Sequence, residues 1–169
     1  MRLVLSKKED FPQIYAQMQK NFCLDEIRDY PEALAVYDDA AYRLYHLVEE
    51  GERVGFIAVW EFDSLAFVEH FVIYEAHRNR GFGGIAIQAV QQRYERVLLE
   101  VEPPEEEMAI RRFAFYQRQG FQANDYEYMQ PSYRENGNEV RLILMSSPTP
   151  LSDIEKVVQT IRQKVYKKE

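Results

Sequence analysis

The 169-residue chain reads as an α/β (α+β) fold with a central mixed, mostly antiparallel sheet flanked by helices, and three observations predict this. Residues 42–49, 53–62 and 65–74 form three consecutive apolar segments separated by turn-length breaks, the pattern of an antiparallel meander. The third segment runs into the glycine-rich turn His77-Arg78-Asn79-Arg80-Gly81-Phe82-Gly83-Gly84 and then into a stretch with apolar residues at Phe82, Ile85, Ala86, Ala89 and Val90. That spacing, i, i+3, i+4, i+7 and i+8, is one face of a helix. A further strand-like segment, a helix-like one, a pair of strands and a last helix complete the order.

Taken along the chain, residues 2–5 are a short edge strand. Asp10 stands where a helix N-cap is expected, with Pro12 in the first turn, and Phe11, Ile14, Tyr15, Met18 and Phe22 supply a buried stripe. A weaker helix, rich in Ala and Tyr, is expected over residues 31–41. Glu50-Gly51-Glu52 and Asp63-Ser64 are the turns of the meander. Residues 97–102 form the strand after the glycine-turn helix, and Pro103-Pro104 ends it. Glu105, Glu106 and Glu107 suit the first turn of the next helix, where negative charge opposes the helix dipole favourably. Ala109, Phe113 and Tyr116 lie along one side of that helix, and Gly120 closes it. Strands over residues 126–130 and 139–145 flank the turn Glu135-Asn136-Gly137-Asn138. Ser152 and Glu155 have capping-box spacing before a final helix with the apolar face Ile154, Val157, Val158, Ile161 and Val165 and with Lys164, Lys167 and Lys168 at its end. Nothing resembling a repeat or a linker divides the chain, so residues 1–169 are expected to be a single domain, with residues 151–169 as a C-terminal helical extension.

Composition narrows the function classes. A hydrophobic fraction of 46% with 12 Tyr, 10 Phe and one Trp is that of a chain with a real core. The net charge of −7 makes nonspecific binding of nucleic acid or an anionic membrane unfavourable, so a polyanionic ligand has to be held by local basic groups. A single cysteine, Cys23, excludes an internal disulfide and fits a reducing compartment. No apolar run approaches the ~20 residues of a membrane span, and the charged first ten residues do not read as a signal peptide. The expected location is cytoplasmic. His46, His70 and His77 lie on different elements without paired spacing, so no metal site is expected.

The glycine turn is the chemically informative stretch. A strand leading through glycines into a helix puts free backbone N–H groups and the positive end of a helix dipole at one point, which attracts anions. Glycines let a phosphate approach the backbone, and Arg78 and Arg80 add charge there. The nucleotide-hydrolase phosphate loop is excluded because no Gly-Lys-Ser/Thr follows, and the dinucleotide fingerprint because its third glycine is absent. The pattern Arg-x-x-Gly-x-Gly at Arg78, Gly81 and Gly83 resembles the acetyl-CoA pyrophosphate loop of the GNAT N-acetyltransferases. Leu99-Glu100-Val101 resembles that family's fifth strand, and Tyr116 to Gly120-Phe121 its Tyr-x-x-x-Gly-Phe segment.

The resemblance implies a GNAT fold with a splayed sheet, acetyl-CoA as cosubstrate, and direct acetyl transfer to a primary amine in a ternary complex. It places the backbone of Phe71, Val72 and Ile73 beside the pantetheine arm and Arg78, Asn79, Arg80, Gly81, Phe82, Gly83 and Gly84 around the pyrophosphate. Tyr116 takes the position of the general acid, with Phe113 one turn earlier steadying its ring. Glu100 matches a glutamate that serves as base in some relatives. Glu69 has the strand parity of Phe71 and Ile73, absent a bulge, which makes it the second candidate base, and His70 is then on the opposite face. The family's asparagine between the fifth strand and the tyrosine helix is missing, its place taken by the acidic connection Pro103 to Ala109. Glu100, Glu102 and Glu105 to Glu107 gather negative charge and point to a small cationic acceptor. The rival reading is a CoA- or acyl-CoA-binding sensor or partner-binding module that has lost transfer activity. The extra terminal helix is expected to pack on the sheet or to serve as the contact of a homodimer.

Overall fold

A computed structural model describes residues 1–168. The fold is α/β: among the described residues, a mixed, open sheet of eight strands is flanked by five α-helices. The chain divides into two compact units, Met1–Val97 and Leu98–Glu169.

In the first unit, β1 (Arg2–Leu5), β2 (Tyr42–Glu49), β3 (Glu52–Phe62) and β4 (Leu65–Ile73) are antiparallel neighbours in chain order, β2 to β4 forming the predicted meander. The β2–β3 turn is two residues, Glu50 and Gly51, both left-handed at φ 50° and 84°. This is the backbone of a type I′ turn, whose twist matches that of the flanking strands. Between β1 and β2 lie α1 (Phe11–Asn21) and α2 (Tyr30–Val36), and α3 (Phe82–Arg93) follows β4. Phe11, Ile14, Leu44, Phe56, Trp60, Phe67 and Ile87 are among its fully buried side chains.

Local details depart from the sequence reading. Asp10 holds the N-cap position of α1, but its carboxylate does not cap the helix. It accepts from the Lys7 N–H and Arg53 and pairs with His46 instead, so a tertiary contact outcompetes the local one. α2 ends at Val36, five residues short of the expected limit. On α3 the buried side chains are Ala86, Ile87 and Val90, while Ile85 is 40% exposed, so the stripe is rotated from the predicted one. The largest correction is in β4. Ala58 faces His70 but the next residue, Val59, faces Val68, which leaves Glu69 as the extra residue of a β-bulge. Strand parity therefore fails there: Glu69 and His70 both reach the 26–28 segment rather than opposite faces.

In the second unit, β5 (Arg96–Val101) carries over from the end of the first, followed by α4 (Glu107–Arg118), β6 (Gln122–Ala123), β7 (Tyr128–Gln130), β8 (Val140–Ser147) and α5 (Ile154–Lys164). β8 lies between β5 and β6, and β7 also pairs with β8. The two-residue β6 was not expected, being too short for any periodicity to reveal. Val157, Val158, Ile161 and Val165 are buried as predicted, with Leu144, Met145 and Phe121. The capping box of Ser152 and Glu155 does not form; Asp153 is the N-cap, without a side-chain cap.

Candidate active site

The glycine turn closes β4 and opens α3. After Ile73 a short 3₁₀ turn, Glu75–His77, leads into Asn79 and Gly81, both left-handed at φ 59° and 78°. A β-branched residue would be strained at either place; asparagine and glycine tolerate it. Gly81 is the N-cap of α3 and no side chain caps the helix. The first-turn amides of Phe82, Gly83 and Gly84 are thus left to an anion or to solvent.

Both arginines are placed by neighbours. Arg78 Nε donates to the Ile73 carbonyl at 3.0 Å and Nη2 to Asn21 Oδ1 at 2.5 Å, tying the turn to the end of β4 and to α1. Arg80 lies over the Phe82 ring, 4.8 Å from its centroid, with His77 Nδ1 3.4 Å away. Lys20 of α1 pairs with Glu75 at 2.8 Å. Phe71, Val72 and Ile73 lie in register with Ile57, Phe56 and Gly55. A Cβ on Gly55 would come within 2.1 Å of the Val72 carbonyl oxygen, so glycine is required for this close approach.

Glu69 does not stand open to a substrate. Its carboxylate receives Arg28 Nη1 at 2.7 Å, with both side chains buried. Burial raises the Glu69 pKa, but the opposing Arg28 charge and the His70 contact outweigh it and hold the group at about 2. The Arg28 guanidinium also lies over the Trp60 ring, and its carbonyl accepts the Tyr15 hydroxyl at 2.9 Å. His70 Nε2 is 2.9 Å from the Glu26 carbonyl oxygen. Arg28 and His70 line a small pocket with Phe11, Tyr15, Ile27 and Tyr42.

Glu100, on β5, is held differently. Its carboxylate accepts hydrogen bonds from the Tyr128 hydroxyl, from the Tyr166 hydroxyl at 2.9 and 3.0 Å, and from Gln130 Nε2 at 2.8 Å. Burial and the adjacent carboxylate both push the Tyr128 phenol upward. The segment just past the terminal helix is thus tied to β5 and β7 within its own unit, and Arg162 of α5 reaches the Met129 carbonyl of β7.

Tyr116 sits in the last turn of α4. The N–H of Phe121 donates to the Tyr116 carbonyl and that of Gly120 to Gln117, each at 3.0 Å, with Gly120 left-handed at φ 86°. This is a Schellman motif, and the Tyr116 and Phe121 rings supply its hydrophobic contact at 5.7 Å. The Tyr-x-x-x-Gly-Phe spacing thus has a local reason: it seats the tyrosine ring against the helix end. The rings beside Tyr116 are Phe121 and Phe115, at 5.7 and 5.1 Å, rather than Phe113. Burial pushes the Tyr116 phenol up to about 12, opposed by Arg112.

Arg112 pairs with Glu102 at 3.2 Å and Arg111 with Glu107 at 2.5 Å, so two of the expected field of carboxylates are locally neutralised. Sequence reasoning missed Arg28, Asn21, Tyr128, Gln130 and Tyr166. Of these, only Tyr166 carried a signal, lying next to the last apolar position of α5. No metal-binding cluster occurs among the described residues, and none of their helices is long and apolar enough to cross a membrane.

Comparison with known proteins agrees with this geometry. The sequence pattern of the Acetyltransferase (GNAT) family matches residues 9–121. The chain is 28% identical over 152 residues to YjbC of Bacillus subtilis (strain 168), provisionally named as an acetyltransferase, covering 88% of this chain and 77% of that one. A solved structure from Bacteroides thetaiotaomicron, provisionally described as a GNAT-family acetyltransferase, superimposes with a TM-score of 0.94 at 28% identity over 100% of both chains. The ribosomal-protein-S18-alanine N-acetyltransferase of Escherichia coli shares the fold, with a TM-score of 0.62 at 18% identity over 89% of this chain and 95% of that one.

Proposed function

The chain belongs to the acetyltransferase (GNAT) family, and from that premise we propose that it transfers the acetyl group of acetyl-CoA to a primary amine, directly, in a ternary complex. The observation that carries the reading is the turn at residues 78–84. Two left-handed residues, an uncapped helix start and two neighbour-held arginines make a cradle suited to a pyrophosphate. In this reading Arg78, Asn79, Arg80, Gly81, Phe82, Gly83 and Gly84 hold the pyrophosphate, and the backbone of Phe71, Val72 and Ile73 aligns the pantetheine arm. The Phe71 N–H polarises the thioester carbonyl.

The acceptor ammonium first loses a proton. The amine nitrogen then attacks the thioester carbon, the adduct loses a second N–H proton, the C–S bond breaks, and the CoA sulfur leaves as thiolate and takes up one of the released protons. Glu100 is the proposed proton acceptor. Glu69, held at about 2 beside Arg28, is the poorer base, because so acidic a group gains little by taking a proton from an ammonium. Tyr116 is the proposed donor. A phenol at about 12 is protonated at every working pH. A thiol of ordinary pKa, ~8.5, is the stronger acid. Tyr116 therefore stabilises the departing sulfur chiefly by a hydrogen bond, and the proton released from the acceptor completes the balance.

The proposed acceptor class is a small cationic amine, resting on the Glu100 carboxylate and on the net charge of −7. Fold alone does not choose it: spermidine is the acceptor in the name of one structural neighbour, a variant of SpeG from Vibrio cholerae, and a ribosomal-protein alanine in another. The proposed setting is the cytoplasm. Calorimetry of acetyl-CoA binding, followed by thiol release against spermidine, lysine and neutral amines, tests the reading. Cofactor binding with thiol release is expected. Acetyl-CoA binding without release on any amine would favour the sensor instead.

A further inference from the structure

Resting on the reading of Glu100 as the proton acceptor, we propose that the C-terminal extension completes the catalytic apparatus: Tyr166, just past α5, is a positioning residue that orients the Glu100 carboxylate and keeps it ionised. Tyr166 is 4% exposed and its hydroxyl lies within hydrogen-bond distance of both carboxylate oxygens, at 2.9 and 3.0 Å. Gln130 Nε2 donates to the same hydroxyl at 2.9 Å and to Glu100 Oε2 at 2.8 Å, so the phenol proton is directed at the carboxylate. Tyr128 closes the arrangement from β7. Donors aimed at a carboxylate stabilise its charged form and fix its two oxygens in space.

The placement of Tyr166 is itself determined by the extension. Val165 and Tyr166 are buried, the Tyr133 ring packs 5.0 Å from that of Tyr166, and left-handed Lys167 turns the chain away after it. Arg162 of α5 reaches Glu139 at 3.2 Å and the Met129 carbonyl at 3.4 Å, and Arg162 and Tyr133 both act on the Tyr128 phenol. The Tyr128, Gln130 and Tyr166 donors are themselves neutral groups.

The test is Tyr166→Phe, which keeps the ring and its packing and removes one donor. Carboxyl-labelled glutamate followed by 13C NMR, with Glu100→Gln to assign the resonance, reads the titration directly. Loss of one hydrogen bond to the charged form should move the Glu100 midpoint to higher pH by about 0.5–1 unit. The acid limb of kcat/KM for acetyl-CoA with spermidine should move with it, at unchanged melting temperature. An unmoved NMR midpoint overturns the positioning role. A moved midpoint with an unmoved acid limb shows that Glu100 is not the proton acceptor and overturns the catalytic part. Wild-type protein that binds acetyl-CoA but releases no thiol with any amine defeats the transferase reading instead, and the NMR midpoint then decides the positioning claim by itself.

Discussion

Glu69 and Glu100 both stand on strands near a segment that resembles acetyltransferase machinery, and each could be a base as far as residue type goes. Their surroundings separate them. Glu69 is at a bulge, buried, and answered by the full charge of Arg28. Glu100 is answered by two phenols and an amide. A guanidinium cannot give up its charge, so protonating Glu69 would take the carboxylate charge away from a buried cation; hydroxyl groups can reverse donor and acceptor roles when Glu100 takes a proton. A charged partner fixes the ionisation state, whereas neutral donors fix the geometry and leave the proton free to move.

The widest expected separation is in turnover. Glu100→Gln should lower kcat by ~10²–10⁴-fold, with acetyl-CoA affinity and melting temperature close to wild type, while Glu69→Gln, assayed where it is folded, should stay within a few-fold. Equal losses in the two variants would erase the distinction. Tyr116→Phe should match Glu100→Gln in magnitude, because it removes the donor at the other end of the reaction; full activity there would pass that role to water.

Stability should show the reverse order. Glu69→Gln leaves Arg28 buried without its carboxylate and is expected to cost ~3–5 kcal/mol in denaturant unfolding. Pairing it with Arg28→Met should recover most of that loss, since replacing both ions avoids the stranded charge. A double variant as unstable as the single one would mean that Arg28 is held mainly by its other contacts.

Cofactor binding should be blind to the contrast. Arg78→Ala should weaken acetyl-CoA by ~1.5–3 kcal/mol in calorimetry, and Gly83→Glu should abolish binding through bulk and like charge, with neither change affecting the titration of Glu100. Unchanged affinity in folded Gly83→Glu protein would remove the pyrophosphate assignment.

The smallest effect is on acid stability. Glu69 is lowered from 4.5 to about 2 on folding, so its contribution is complete above pH 4.5 and is lost as the pH falls toward 2. Asp10, lowered to about 2 chiefly by its bond with His46, acts over the same window. Denaturation midpoints followed from pH 6 to 2 should fall less steeply in Glu69→Gln than in wild type; parallel curves would show that the Arg28 pair contributes nothing there.

By itself the sequence determined the meander, the strand–glycine–helix junction and the tyrosine helix with its glycine stop. These depend on residue period and on backbone positions that only certain residues tolerate, both local properties: Gly51, Gly81 and Gly120 are all left-handed where turns or a helix end demand it. The same locality made Tyr116 legible, because its Schellman motif is written within six residues. The bulge at Glu69 was not legible, since it arises from how β4 registers on β3, and with it went the predicted opposition of Glu69 and His70. Nor could the sequence tell the two glutamates apart. Arg28 lies 41 residues from Glu69, and Tyr166 lies 66 from Glu100. Only tertiary structure decided which carboxylate met a cation and which met hydroxyls, because at such separations the partner is chosen by packing, to which no local pattern corresponds.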